Sequence, residues 1–69
     1  MKPKFIDYDV VKALKKLDSA VSTGTTGTVL MVFTTTPPSY EVEFVDDAGE
    51  SLAVLTTEES DLEFIQHGG

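Results

Sequence analysis

Four carboxylates stand close together near the end of this 69-residue chain: Glu58, Glu59, Asp61 and Glu63. Such a set could supply a general acid and a general base, provided a concave and partly dry site held their pKa values apart. Pockets that do so run to about 300–1,000 Å³ and are hard to carve from so small a core. These acids read as a solvated face. A second group, Asp46-Asp47-Ala48-Gly49-Glu50, looks superficially like a cation loop. A calcium loop, however, spreads its oxygen ligands over about twelve residues and closes on a Glu. Asp and Gly at this spacing suit a turn instead.

The remaining chemistry-bearing residues are thinly spread. Thr23-Gly24-Thr25-Thr26-Gly27 lacks the Lys of a phosphate-binding loop, and no helix clearly follows it. The Ser residues show no nucleophile-elbow spacing. The single histidine, His67, falls in the last three residues with no partner near it in sequence, and Cys is absent, so neither a disulfide nor a thiolate metal site can form. No catalytic, metal-ligating or cofactor-binding residue is therefore expected, and the chain does not read as an enzyme.

The elements that would carry these residues are strands. From Tyr40 to Thr56, two runs rich in Val, Phe and Leu flank a polar turn that ends in Gly49. That pattern signals a β-hairpin, with Gly49 free to take the positive φ of a four-residue turn with a bulge. Residues 40–45 alternate Tyr40, Val42 and Phe44 with Glu41 and Glu43, so their buried face is readable. Residues 51–56 form the return strand. The longest apolar run, residues 27–33, gives another strand, stopped by Pro37 and Pro38, and residues 62–65 give a short closing one. A single 3₁₀ turn or short helix suits residues 57–60. Residues 1–5 read as a flexible leader and 66–69 as a flexible tail, leaving one domain over 6–65.

Residues 6–17 are ambiguous. Ile6, Val10, Ala13, Leu14 and Leu17 follow the spacing of an amphipathic helix. The stretch from Tyr8 to Leu14 can equally pair as a strand.

Charge excludes some partners. The net charge is −7, and all five Lys lie within residues 1–16, whereas ten Asp or Glu and no Lys or Arg follow from Leu17 onward. Arg, which supplies bidentate phosphate and base contacts, is absent. Nucleic-acid binding is not expected. The N-terminus has no apolar run like that of a signal peptide, and no stretch approaches the ~18 apolar residues of a membrane span. A cytoplasmic location without membrane contact is the default.

The blocks Asp9-Val10-Val11, Gly24-Thr25-Thr26-Gly27-Thr28-Val29-Leu30, Tyr40-Glu41-Val42-Glu43-Phe44-Val45-Asp46 and Leu52-Ala53-Val54-Leu55-Thr56 resemble, in order and spacing, a bacterial family of small proteins called domain of unknown function 4926. The resemblance runs from about Ile6 to Ile65. It implies an all-β, five-stranded SH3-like barrel of unassigned biochemistry and favours a strand over residues 9–14. Thr25 and Met31 depart from it, standing where family members tend to carry a charged and a polar residue.

Two faces are apolar in excess. Residues 27–33 place Val29, Met31 and Phe33 on one side and Leu30 and Val32 on the other; residues 51–56 divide Leu52 and Val54 from Ala53 and Leu55. Either a second copy covers the surplus, with Met31, Phe33, Ala53 and Leu55 as the contact, or bulges in a tightly curved barrel bury both sides. Glu41, Glu43, Asp46, Asp47 and Glu50 make the hairpin negative outside, a surface that could dock a basic protein or simply stay hydrated. The expected role is a protein-interaction module, of immunity or antitoxin type in one version, with a homo-oligomeric accessory subunit as the alternative.

Overall fold

The computed structural model describes residues 2–68. Five strands run in chain order: β1 (Val10–Ala13), β2 (Thr26–Phe33), β3 (Ser39–Val45), β4 (Ser51–Glu58) and β5 (Leu62–Gln66). A 3₁₀ turn, Glu59–Asp61, joins β4 to β5. All neighbours are antiparallel, in the order β4-β3-β2-β1-β5. The fold is all-β, as expected, and β4 and β5 are its two edges. Within residues 6–17 the structure forms no helix and a strand only at Val10–Ala13, where alternation places Val11 and Ala13 inside while Val10 and Lys12 stay half-exposed.

A single sheet encloses the core by curling. Val11 and Ala13 from β1, Val29 from β2, Tyr40, Val42 and Phe44 from β3 and Leu62 from β5 meet in one cluster with Phe5 and Val21. Ala53 and Leu55 of β4 pack against it. Three register shifts bend the strands: between Val10 and Val11 against β5, Val29 and Met31 against β3, and Phe44 and Val45 against β4. Bulges of this kind increase local twist and bend the bulged strand.

The shift in β2 resolves its doubly apolar sequence. Val29 pairs with Val42 and Met31 with Glu41, so Leu30 is the extra residue. Val29 is buried, Leu30 and Met31 are both exposed, and Val32 returns to pack on the core. The expected bulge is present, yet it turns two large apolar side chains outward.

Two glycines bear directly on the pairing of β2, β3 and β4. At Gly49 φ is +83°, closing the β3–β4 turn through its N–H to the Asp46 carbonyl at 2.9 Å. Gly27 is buried where β2 crosses β3: a Cβ there would lie 2.7 Å from Val42 Cγ1 and 2.9 Å from the Glu43 carbonyl oxygen.

Phe5, Gln66 and His67, within the expected leader and tail at 1–5 and 66–69, make defined contacts, and Met1 and Gly69 lie outside the described residues. Phe5 is buried, and its ring packs on Tyr40 at a centroid distance of 5.1 Å. Gln66 belongs to β5. His67 Nδ1 lies 2.8 Å from Asp9 Oδ1, and the other Asp9 oxygen accepts the Ile6 N–H at 3.0 Å. Asp9 is only 1% exposed, so these two contacts satisfy a carboxylate removed from water.

Replacing Gly27→Ala should cost about 1–3 kcal/mol by overpacking, since the obstruction includes backbone. Urea unfolding reads this as a lower midpoint at unchanged slope, and an unaltered midpoint would refute the close approach of β2 and β3.

Candidate interaction surface

The acids divide according to which strand carries them. β1 lies between β2 and β5, which sets Lys12 opposite Glu63, their charges 3.7 Å apart. Lys15 Nζ approaches Asp61 Oδ1 at 3.4 Å. The basic N-terminal segment thus lies along the acids of the 3₁₀ turn and β5. Exposed pairs of this kind add little stability, but they offset charge locally. The acids of Glu58–Glu63 do not converge: Glu58 is exposed, Glu59 turns to Tyr40, and Asp61 and Glu63 each face a different Lys.

Tyr40 and Glu59 form the most developed polar contact. The Tyr40 hydroxyl donates to Glu59 Oε2 and accepts the Lys4 N–H at 3.0 Å and the Phe5 N–H at 3.4 Å. Lys4 also donates its N–H to Glu59 Oε2 at 2.9 Å. Burial, followed by the hydrogen bond to Glu59, pushes the Tyr40 phenol above its ordinary value. For Glu59, burial works upward, but hydrogen bonds from Tyr40 and the Lys4 N–H, with the Lys4 charge, outweigh it and hold the carboxyl below its ordinary value. This arrangement pins the N-terminal segment across β3 and the 3₁₀ turn.

The hairpin side has no comparable compensation. Glu41 and Glu43 point outward from β3, opposite Thr56 and Val54 of β4. Glu41 Oε1 accepts the Thr56 hydroxyl at 2.8 Å. Asp46 Oδ1 accepts the N–H groups of Ala48 and Glu50, each at 2.9 Å, so that carboxylate is committed to the turn. Glu43, Asp47 and Glu50 have no side-chain hydrogen bond or ion pair among the described residues. The five expected residues are therefore brought to one side, two held by neighbours and three facing water.

The apolar contact set fares differently. Met31 is 54% exposed, and Phe33 is half-buried. Ala53 and Leu55, expected at an outer contact, face the core, and Leu52 and Val54 point out instead, 39% and 49% exposed. The reason is cross-strand parity. Glu43 faces outward, so its partner Val54 must do the same, and Leu52 and Thr56 follow on that face. That signal was available in the sequence, because only one face of β3 is acidic.

Open depressions of about 590, 350 and 200 Å³ mark the surface. The first is lined by Lys2, Pro3, Phe5, Ile6, Asp7 and Val32; the second lies beside Asp46, Asp47 and Leu52. Among the described residues, no three His, Cys, Asp or Glu side chains gather as metal ligands. No helix is long and apolar enough to cross a membrane.

Fold and surface define a small all-β domain whose polar chemistry lies mostly on its outside. A family profile described as Domain of unknown function (DUF4926) matches residues 7–64, and the chain belongs to that family. No curated protein and no solved structure matches.

Tyr40→Phe should cost about 1–3 kcal/mol, because it leaves the buried Phe5 N–H without its acceptor and removes a donor from Glu59, while the Lys4 N–H keeps Glu59. Glu59 has a lowered pKa in the folded chain, so its contribution is present above the ordinary value of 4.5 and lost as pH falls through the folded value. Urea titrations across that acid range should show a smaller loss in the variant than in the wild type. An identical acid limb would contradict the contact.

Proposed function

We propose that the chain is a non-enzymatic protein-interaction module whose β3–β4 side engages a basic partner. The observation that carries this reading is the uneven neutralisation of charge. Lys12 and Lys15 sit against Glu63 and Asp61, whereas Glu43, Asp47 and Glu50 meet no base among the described residues. Exposed Leu52 and Val54 lie among those acids, giving the mixture of apolar contact and steering charge that transient interfaces use. An immunity- or antitoxin-like role, masking the basic surface of an enzyme, is the version that best fits so small and acidic a domain. A cytoplasmic setting accords with the absence of Cys.

A second reading, a homo-oligomeric accessory subunit, is favoured by one observation. The β2 bulge turns Leu30 and Met31 outward together, and water is a poor neighbour for both.

Triple reversal Glu43→Lys, Asp47→Lys and Glu50→Lys should weaken capture of a basic partner by about tenfold or more, with the loss shrinking as salt rises. Light scattering on the same variant should match the wild type. Partner capture that survives the reversal, or a wild-type dimer broken by Met31→Lys, would transfer the case to self-association.

A further inference from the structure

β4 is an edge strand eight residues long, and among the described residues its outer side receives no backbone hydrogen bond. Unpaired N–H and C=O groups along such an edge are a template for another strand. Edges are usually blunted by Lys, Pro or a short length, but between Ser51 and Thr57 this one has no charge and no Pro. The other edge, β5, is five residues long, carries Glu63 and is irregular at Ile65. The unguarded edge is therefore β4.

We infer that β4 receives an extended, basic segment of a partner protein by strand addition, with alternate side chains of that segment serving two different faces. This rests on the interaction-module reading above and names the partner's chemistry. On the outer face, the added strand would run beside Val54 and Thr56, one strand away from Glu43 and Glu41, within reach of a long Lys or Arg side chain. Beside the edge lies a groove of about 200 Å³ lined by Leu17 and Leu55 together with Thr56, Thr57, Glu58 and Asp61, in which the two Leu side chains offer the apolar contact and the rest a polar rim. Lys15 already pairs with Asp61 at that rim, so Glu58 is the carboxylate left for the partner. Alternation of basic and apolar residues is what a strand with two such faces selects.

A second copy of the chain fits this edge poorly. Antiparallel pairing of β4 with itself would bring the Glu50 end of one copy toward the Glu58 end of the other. The acids of both hairpins would share one face, and no Lys or Arg follows Leu17 in either chain. Like charges set opposite one another in a sheet are destabilising.

The test uses the full chain and a fluorescent nine-residue peptide of alternating Lys and Val, read by anisotropy at low salt. It should bind about tenfold or more tightly than a Glu/Val peptide of equal length. Two further peptides carry N-methyl groups on the odd or on the even residues, so each loses the donors of one strand edge. Strand addition requires one of them to lose binding by about tenfold while the other keeps it, since alternate N–H groups point to opposite edges. Equal binding of both methylated peptides, with loss on reversal of Glu43, Asp47 and Glu50, would overturn strand addition while leaving an acidic docking surface intact. No preference for the Lys/Val peptide would overturn the basic partner. A dimer joined through β4 in the absence of peptide would replace it with a second copy.

Discussion

A chain this short has one sheet with which to surround a core, and the curl of that sheet is set where Leu30 drops out of register between Val29 and Met31. Without the extra residue, strict alternation would bring Met31 inward and leave Val32 in water. With it, Val29 and Val32 both reach the core from one eight-residue strand, which can therefore line two parts of the curled sheet. Gly27 makes the same curl possible at the other end of β2, where no side chain fits between that strand and Val42, Glu43 and Phe44. The cost of bending is visible outside. Leu30 and Met31 are both exposed because the bulge leaves them no inward position.

Topology then distributes the charge. β1 carries Lys12 and returns between β2 and β5, so the basic end of the sequence is laid along the acids of the last strand and the 3₁₀ turn. β3 and β4 lie on the far side of β2 from those lysines. A polarity that the sequence shows only as a gradient from N- to C-terminus thus becomes a difference between two sides of the folded chain. The Tyr40 hydroxyl fixes this arrangement by joining Lys4 and Phe5, β3 and the 3₁₀ turn at one point. Its ring is buried, and its proton is held by Glu59, so the N-terminal segment is anchored by packing and by hydrogen bonding together.

Much of this was legible residue by residue. Alternation identified β3 and its buried face, Gly49 marked the hairpin, and Pro37 and Pro38 limited β2. The family resemblance decided between helix and strand at residues 6–17, which periodicity could not do because Val10, Ala13 and Leu14 satisfy both. The bulge was foreseeable as an option but not as a position, since a one-residue slip leaves composition unchanged while reversing every side chain after it. The same slip of parity explains why Ala53 and Leu55 were expected outside: both faces of β4 are apolar, and only its pairing with Glu41 and Glu43 distinguishes them. The Asp9–His67 contact spans 58 residues and joins a buried acid to a terminal segment. Nothing local to either residue announces it.

Charge and pairing on the hairpin are best understood together. A long edge such as β4, charged only at its last residue, invites association, and a protein that carries one needs some means of refusing its own copies. Here the means is not a charge within residues 51–57 of β4, where Ala53 and Leu55 pack inward and Leu52 and Val54 occupy the outer face. It can be supplied around that stretch: Glu41 and Glu43 behind the strand, Asp47 and Glu50 before its start, and Glu58 at its last position. Repulsion among these groups opposes self-pairing, while the backbone of the edge remains open. The same field attracts a segment of opposite charge, so a single distribution of carboxylates both discourages the wrong strand and favours the right one.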